Sequence, residues 1–513
     1  MTMNRRRFIR NSAALAGAGM VSSMLPIPSV MANVLSPLAA SDADALSPLF
    51  LNDARRMDSQ LGLDPRLWSW HKQGPIVKGA MPANYYEASL AEWPSFGALS
   101  SDQSCDVVIV GGGLLGASAA LHMAEAGLDV ILVEKDNIGS GASGRNGGQL
   151  TPGIARWEAE TMLENLPLDE AKRLWRFASV EAMELVDELS ERYNFVCDRK
   201  YGHITAAVHA GHMGPLVANA DARRQLGDSA VSVIGPHQLH EEYVRSNIYH
   251  GACLDSIGGQ VHPLALVRGL AYGFVKQGGR IYDRTKVTGI EKTPKGTVVK
   301  TEQGTITARK AVLLAVHSST EEFISGASTT VPFFTYVAVT PPLKMDIKEL
   351  IPSDYPVYDT QLQIDYYRGV RNNRLLFGGQ GTGNSWSPRD VNNYLLERIN
   401  IVFPQIEKPE LEFSWGGVSD LTVNGATDAR KSDDGVPIYM VHGWSGHGVA
   451  QTVRIGKAIS DDLTGRNNDF SMLTRIEHST IPFGSYLSPV AIPVIKGALT
   501  VMGALNPADM VSF

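Results

Sequence analysis

The most constraining feature of this chain is a strand, a glycine turn, a helix and a second strand packed between Asp106 and Glu134. The first five residues are apolar and rich in β-branched side chains, which predicts a buried parallel strand. The turn GGGLLG follows, with Gly111, Gly113 and Gly116 in GxGxxG spacing. This spacing allows a tight turn, close approach of backbone amides to a pyrophosphate, and close packing of the next helix. The second strand ends at Glu134, where a carboxylate can bind ribose hydroxyls, so the unit predicts a dinucleotide-binding domain.

A second glycine-rich loop, GSGASGRNGGQ, occupies residues 139–149 directly after this unit. A nicotinamide-binding domain does not need such a loop, so it decides which dinucleotide is bound. Together with the Glu134-Lys135 pair, GASGRNGGQ resembles the D-amino-acid-oxidase-type superfamily of FAD enzymes, and most closely its bacterial amine oxidase branch. The resemblance runs from about Cys105 to the C-terminus. It implies that FAD is the cofactor.

The resemblance also implies which residues hold the FAD. In such enzymes the second loop runs along the cofactor to the isoalloxazine ring, and the later motifs FSWGG and VHGWSGHGV return to the flavin. A helix beginning near Val449 would direct amides and positive dipole toward the pyrimidine end. The family contacts adenine through the backbone at the position of Val287. The expected set is Gly111, Gly113, Leu115, Gly116, Glu134, Lys135, Ser140, Ala142, Ser143, Arg145, Asn146, Gly147, Gly148, Gln149, Val287, Gly416, Gly446, His447, Gly448 and Val449.

Individual residues refine this expectation. The small residues of the loop allow close backbone approach, while Arg145 can offset phosphate or flavin charge. No cysteine follows Cys253, so the cysteinyl attachment found in sarcosine-type oxidases is excluded and we expect non-covalent FAD. Ala450 stands where those enzymes carry a lysine, which disfavours a sarcosine or glycine oxidase. We interpret His447 as a packing element rather than a catalytic base.

The pattern predicts an α/β fold, in which a Rossmann-like FAD-binding domain is interleaved with an α+β substrate domain built on an antiparallel sheet. A long amphipathic helix is predicted over 168–193, and alternating strands over 333–340, 361–368 and 374–379 predict the floor of a substrate pocket. The predicted segments are a signal at 1–32, an arm at 33–103, the FAD-binding domain at 104–194, 255–328 and 409–470, the substrate domain at 195–254 and 329–408, and an apolar C-terminal segment at 471–513.

Composition limits the partners. The chain has 513 residues, a net charge of -7 and no Lys/Arg stripe, so we expect no nucleic-acid partner. Its cysteines, Cys105, Cys197 and Cys253, are too scattered for a disulfide framework or a zinc site, and we expect no metal. A homo-oligomer is expected.

The N-terminus reads as an export signal. The sequence NRRRFIR at 4–10 resembles the twin-arginine motif and precedes a weakly apolar stretch. Because that route carries folded proteins, it suits an enzyme loaded with FAD, and it predicts a periplasmic or secreted location. The alternative is a cytoplasmic basic tail. The arm that follows is expected to pack on the main body through its aromatic residues Trp68, Trp70, Tyr85, Tyr86 and Trp93.

The C-terminal stretch 482–505 is apolar and carries only Lys496 as a charge. Pro489 and Pro493 are expected to break it. We predict a packed helix, with peripheral membrane contact as the alternative.

Four residues are predicted to orient the substrate: Gln149, Tyr366, Arg368 and Trp444. Alternation along a strand sends Tyr366 and Arg368 to one face. If that face is inward, Arg368 could pair with a substrate carboxylate; the alternative is a solvent-exposed Arg368. Trp444 could form an aromatic wall, or it could belong to the core.

These features predict an amine or amino-acid oxidase. A hydride passes from the carbon bearing the amine to flavin N5, the imine hydrolyses to a keto acid or aldehyde plus ammonia, and oxygen reoxidises the flavin to give hydrogen peroxide. The preferred subtype is an L-amino-acid oxidase, because export suits an enzyme that meets free amino acids. The alternative is a gamma-glutamylputrescine-type amine oxidase, which GASGRNGGQ favours and export disfavours. Two further alternatives are a dehydrogenase that passes electrons to membrane quinone and a flavin-binding protein without turnover.

Overall fold

The computed structural model describes residues 84–91, 93–324, 328–361, 363–481 and 484–505. Its helices are α1 Tyr85–Ala88, α2 Leu114–Glu125, α3 Ala159–Asn165, α4 Leu168–Ala178, α5 Val180–Arg192, α6 Met213–Gln225, α7 Pro236–Gln238, α8 Pro263–Lys276, α9 Pro388–Val402, α10 Val449–Thr464, α11 Phe470–Thr474 and α12 Gly484–Leu505. Its strands are β1 Gln103–Val110, β2 Val130–Val133, β3 Gln149–Leu150, β4 Lys200–Ala206, β5 Val231–Ile234, β6 Ala252–Gln260, β7 Arg280–Tyr282, β8 Val287–Thr293, β9 Gly296–Thr301, β10 Thr305–Leu314, β11 Thr330–Val339, β12 Val357–Asp359, β13 Tyr366–Val370, β14 Arg374–Thr382, β15 Phe413–Thr422, β16 Asp428–Lys431 and β17 Ile438–His442.

The first sheet has the order β16-β17-β10-β1-β2-β7, and its strands from β17 to β7 run parallel. The side chains of β2 and of the second half of β1 are buried, as expected for strands covered on both faces. Helices α2 and α10 pack closely because Ser118 Oγ donates to the carbonyl of Val453 at 2.7 Å and Gly456 lies against Ala119. Each buried aliphatic side chain contributes about 1.5–3 kcal/mol. The sheet is therefore a firm support for the turns at its carboxyl edge.

The second sheet has the order β15-β11-β14-β13-β12-β4-β6-β3, with β5 beside β6. Every pair in it is antiparallel except β4 with β12. Tyr367 and Phe377 stack on one face in the core that includes α9, while Tyr366 and Arg368 project from the other face toward residues 147–148. The expected α/β class with a largely antiparallel second sheet is confirmed.

Strand membership departs from the predicted segments in three places. β3, at the end of the glycine-rich loop, pairs with β6 and so belongs to the second sheet. β6 continues to Gln260, beyond the predicted boundary at 254, and β15 joins the second sheet although 409–470 was assigned to the other domain. The glycine-rich loop is consequently shared by both sheets.

Two elements predicted as continuous are interrupted. The helix predicted over 168–193 is two helices, α4 and α5, separated by Ser179, whose Oγ accepts the amide of Gly153 at 2.9 Å. Of the strand predicted over 361–368, only the part from Tyr366 onward forms, as β13. A turn precedes it, in which Asp359 accepts the amides of Gln361 and Asp365, both at 3.2 Å. At the second place a short polar side chain competes with the regular backbone bonds. At the first, the backbone of Ser179 leaves helical geometry, with φ -112° and ψ -82°.

The two ends of the described chain pack on the body. In the arm, Tyr85 and Tyr86 are buried, as predicted; Trp68, Trp70 and the proposed signal lie outside the described residues. Pro489 and Pro493 do not break the C-terminal segment, since both lie inside the continuous helix α12. Its Ser488 Oγ donates to carbonyls at β11 and after β14. Among the described residues, no helix is both long and apolar enough to cross a membrane.

Candidate active site

The turn after β1 leaves no room for side chains. Gly111 has a φ of +108°, and a Cβ there would overlap the carbonyl of Ala315. A Cβ on Gly116 would overlap the carbonyl of Gly111, and one on Gly113 would lie 2.7 Å from Oγ of Ser143. Helix α2 begins directly after Gly113, so its positive end faces the turn. The turn thus fits a pyrophosphate that is bound by backbone amides.

The end of β2 fits an adenosine. Glu134 Oε2 accepts the amide of Gly112 at 2.7 Å, which fixes the carboxylate beside the turn, and burial raises the pKa of Glu134. The amide of Thr285 donates to the carbonyl of Glu134 at 2.7 Å and brings the start of β8, Val287, to the same place. The side chain of Lys135, in contrast, is 45% exposed and faces the surface.

The loop at 142–147 is held by side chains along its whole length. Each of its six carbonyl oxygens accepts a hydrogen bond from a side chain. Asn146 Nδ2 donates to Ala142 and Ser143 at 3.0 and 2.9 Å. The other four donors are Asn84 to Gly144 at 3.2 Å, Trp415 to Arg145 at 2.7 Å, Tyr86 to Asn146 at 2.8 Å and Arg368 to Gly147 at 2.7 Å. A loop fixed in this way costs less conformational entropy when it binds a cofactor.

Ser143 and Arg145 connect this loop to its neighbours. Ser143 Oγ accepts the amide of Leu114 in the first turn of α2 at 2.9 Å. Arg145 Nε donates to the carbonyl of Gly416 in β15 at 2.9 Å, and burial lowers the pKa of Arg145. The structure therefore brings the phosphate turn, the loop and the FSWGG motif together. Three further expected residues lie half-buried along the loop: Ser140, Ala142 and Gln149.

The motif GWSGHGV forms a turn that is organised by Asp420. The carboxylate of Asp420 accepts the amides of Gly443 and Trp444 at 3.0 and 2.9 Å. Gly446 has a φ of +88°, and helix α10 begins at Val449, as predicted. The positive end of a 16-residue helix is thereby placed at this closing turn.

A cavity lies on the loop-facing side of the second sheet. Tyr358 in its wall pairs across the strands with Tyr366, whose ring packs on Gly147. Gln149 reaches its edge, where Oε1 of Gln149 and Nε2 of His203 are 3.1 Å apart. The cavity therefore begins where the glycine-rich loop ends. Its lining residues are Pro152, Glu158, Trp175, His203, Thr205, Leu216, Asn219, Arg223, Cys253, Asp255, Tyr358 and His447.

The titratable groups of this cavity have shifted pKa values. Burial, with His447 nearby, lowers the pKa of His203 to about 3. Burial, with Arg156 nearby, lowers the pKa of His447 to about 4. Both rings are therefore neutral near pH 7. Burial raises the pKa of Tyr358, so its hydroxyl stays protonated. Arg223 forms ion pairs with both Asp228 and Asp255.

Residues 106–462 match the model of the DAO family, described as FAD dependent oxidoreductase. This chain belongs to that family. The gamma-glutamylputrescine oxidoreductase of Escherichia coli K12 is 34% identical over 408 residues, covering 79% of this chain and 94% of the relative. The probable oxidoreductase OrdL of Haemophilus influenzae is 30% identical, covering 80% and 95%. The crystal structure of glycine oxidase from Geobacillus kaustophilus superposes with a TM-score of 0.62 at 23% identity, covering 73% of this chain and all of that one, and shares the fold.

The chain is thus an FAD-dependent oxidoreductase, and its residues fit the cofactor. The glycine turn, Glu134 and the start of β8 would hold the ADP half. Residues 142–149 would follow the cofactor toward the second sheet, and the closing turn with α10 would face the other end of the flavin. Among the residues that the structure describes, no cluster of His, Cys, Asp or Glu is placed to hold a metal ion.

All four predicted substrate residues are engaged within the protein, including Gln149, whose Nε2 donates to the carbonyl of Val357 at 2.9 Å. Arg368 does face inward, but its guanidinium donates to the carbonyls of Gly147 and Val261, at 2.7 and 3.0 Å, and to the hydroxyl of Tyr86. Its role as a carboxylate ligand stays a prediction; in this structure its Nε and Nη2 hold the loop. Trp444 packs in the core beside α10 rather than along the cavity. The Tyr366 hydroxyl is bonded within the second sheet.

Gln149 is the predicted substrate residue that touches the cavity wall, through His203. Sequence reasoning missed His203, Glu158 and Asp420. His203 and Asp420 are polar residues next to apolar stretches, which is a detectable signal of burial, whereas the charged surroundings of Glu158 give no such signal. Their partners come from distant elements, so their common location could not be inferred from one sequence.

Proposed function

We propose that this enzyme oxidises a primary amine to an imine that water hydrolyses to an aldehyde and ammonia. The observation that carries the proposal is the small cavity at the end of the FAD-binding loop, about 20 Å³ in volume, whose charged lining residues are Glu158, Asp255 and Arg223. When bound, FAD supplies the two-electron acceptor that takes a hydride from the carbon bearing the amine. The task of the chain is then to bind the amine, orient that carbon and exclude water.

The charges around the cavity favour a cationic ligand. Three carboxylates, Glu158, Asp228 and Asp255, stand against two guanidinium groups, Arg156 and Arg223. With both histidines neutral, these five groups carry a net charge of -1 (two positive, three negative). An ammonium group entering this buried site therefore meets a favourable potential. Aromatic rings in the wall add a surface on which a cation or its methylene chain can pack.

The same site is less suited to an α-amino acid. The Arg368 guanidinium, which we had expected to bind a substrate carboxylate, donates instead to backbone carbonyls and to Tyr86. The relative that is 34% identical is named for gamma-glutamylputrescine, an amine attached to an aliphatic chain. Both observations favour an amine on an extended chain over a free L-amino acid as the substrate.

We assign removal of the substrate's ammonium proton to solvent rather than to a side chain of the cavity. An alkyl ammonium must become neutral before it can give up a hydride. Histidines whose pKa values lie at about 3 and about 4 are poorly matched to remove that proton. These histidines are neutral polar groups in the wall of the cavity. Tyr358, whose hydroxyl stays protonated, can donate a hydrogen bond to the amine or the imine nitrogen.

A substrate screen tests the proposal. Purified holoenzyme is given putrescine, gamma-glutamylputrescine, L-amino acids and D-amino acids, and both hydrogen peroxide release and oxygen uptake are measured. We expect peroxide with one of the two amines and none with the amino acids. Peroxide with L-amino acids alone would establish an L-amino-acid oxidase instead. Reduction of a soluble quinone analogue without oxygen uptake would establish a dehydrogenase. If no compound reduced the flavin, a flavin-binding protein without turnover would be the remaining alternative.

We also propose that the enzyme is exported. The supporting observation is the twin-arginine-like sequence NRRRFIR at 4–10, ahead of the FAD-binding region. Export of the folded, FAD-loaded chain would release peroxide outside the cytoplasm.

A further inference from the structure

Two residues of the N-terminal arm hold the FAD-binding loop. Asn84 Nδ2 donates to the carbonyl of Gly144 at 3.2 Å, and the Tyr86 hydroxyl donates to the carbonyl of Asn146 at 2.8 Å. Asn84 is 4% exposed and Tyr86 is fully buried. Both lie ahead of the matched family region, which begins at Asp106. Two of the six carbonyls at 142–147 thus depend on a segment outside that region.

Tyr86 also joins the arm to the second sheet. Its hydroxyl accepts a hydrogen bond from Arg368 Nη2 at 3.2 Å, and Arg368 Nε in turn donates to the carbonyl of Gly147. Its ring packs against Trp415 with centroids 5.3 Å apart, and Trp415 Nε1 donates to the carbonyl of Arg145. Three successive loop carbonyls are therefore connected through contacts with one tyrosine.

The anchoring is local. Helix α1 has four residues, and Ser89 just beyond it bonds to His262 at 3.0 Å. The helix is also held by aromatic contacts of Tyr85 with Phe413 and of Tyr86 with His262 and Trp415. Its detachment would be a local opening, which costs less than global unfolding. Detachment would leave the carbonyls of Gly144 and Asn146 without these donors.

We propose that residues 84–89 form a latch on the FAD site. When docked, the latch completes the donors that fix loop 142–147 around the cofactor. When detached, it lets this loop open for FAD loading and release. Tyr86 and Asn84 are positioning residues in this scheme. The inference rests on FAD binding and is independent of which amine is oxidised.

The first test compares two neighbouring tyrosines. Tyr86→Phe removes the hydroxyl that contacts the loop, whereas Tyr85→Phe removes a hydroxyl from a residue whose ring packs on Phe413. Full-length holoenzyme is diluted into FAD-free buffer and FAD release is followed by flavin fluorescence. We expect release about fivefold to tenfold faster for Tyr86→Phe, as loss of about one net hydrogen bond implies, and unchanged for Tyr85→Phe. Equal rates for both variants and the unmodified enzyme would overturn the proposal.

A second test uses the unmodified chain, so it holds even if a variant fails to fold. If docking of the latch increases the affinity for FAD, then bound FAD must increase the equilibrium constant for docking by the same factor. Chymotrypsin cleavage at the aromatic residues of 84–96 is compared in apoprotein and in FAD-saturated protein. We expect FAD to slow this cleavage at least fivefold, and Asn84→Ala to reduce the protection. Cleavage at the same rate in both forms would refute the latch. Neither readout needs a substrate. A failure of the latch proposal is therefore distinguishable from a failure of the proposed amine oxidation.

Discussion

Glu158 is the residue on which substrate choice is expected to depend most. It lies in the wall of the cavity at the start of α3 and contributes to the negative charge of that wall. Asp255, the other carboxylate of that wall, is paired with Arg223, whereas Glu158 acts on the guanidinium of Arg156. We expect a ligand ammonium to compete with Arg156 for the Glu158 carboxylate.

We predict that Glu158→Gln raises KM for a diamine about tenfold, since one charge contact in a buried site is worth about 1.4 kcal/mol or more. The value of kcat should change less than threefold. The matched control is Glu164→Gln, an exposed carboxylate on the same helix. Steady-state kinetics with a diamine and a monoamine of equal length measure the effect. An unchanged KM in Glu158→Gln for both substrates, or the same change in Glu164→Gln, would argue against a cation site.

The buried histidines make the protein sensitive to acid. His203 and His447 have folded-state pKa values of about 3 and about 4, below the usual 6.5. From pH 6.5 downward the unfolded chain binds protons at these residues that the folded chain does not. The free energy of unfolding therefore decreases as the pH falls toward about 4, by about 1.4 kcal/mol per pH unit and per histidine.

We predict that His203→Gln reduces this pH dependence, whereas His237→Gln, an exposed control on α7, does not. Thermal unfolding between pH 4 and pH 8 measures the dependence. A slope that is the same in the unmodified protein and in His203→Gln would show that the His203 ring is protonated in the folded state.

At the level of elements, the phosphate turn was the part best predicted from sequence. Its glycines are required by contacts within one short unit, so the spacing of Gly111, Gly113 and Gly116 carries the whole signal. The start of α10 at Val449 was predicted from the family resemblance of GWSGHGV. The break at Ser179, a local change in backbone angles, and the turn before β13, which depends on the Asp359 side chain, were missed because a periodicity pattern records neither.

We predict that Gly116→Ala abolishes FAD binding, because its Cβ would overlap the carbonyl of Gly111. Gly141→Ala, in the adjoining loop, is the control: a Cβ there meets nothing within 4 Å, and the backbone is extended. Both variants are purified, and the flavin content per chain and Tm are measured. Full flavin content in Gly116→Ala would contradict the turn geometry.

At the level of the whole molecule, the interleaving of two sheets was predictable, but the composition of the site was not. The FAD-binding loop is fixed by side chains from the arm, from β13 and from β15, which are far apart in sequence. Arg368 shows the consequence: alternation predicted that it shares a face with Tyr366, but not whether that face is inward or which groups it contacts. Its partners are the carbonyls of Gly147 and Val261 and the hydroxyl of Tyr86.

Export is also a property of the whole chain. We predict that replacing both Arg5 and Arg6 by lysine leaves FAD content and activity unchanged and retains the enzyme in the cytoplasm. Cell fractionation followed by immunoblotting measures the location. Unchanged fractionation of the variant would show that the N-terminal arginines are not an export signal.

Anaerobic titration of the holoenzyme with amines tests amine oxidation by this FAD enzyme without involving the electron acceptor. The absorbance of the oxidised flavin is recorded as putrescine, gamma-glutamylputrescine or an L-amino acid is added. We predict stoichiometric bleaching by one of the two amines and none by the amino acid, with Glu158→Gln requiring a higher amine concentration. Bleaching by the L-amino acid while both amines leave the flavin oxidised would contradict the proposed function.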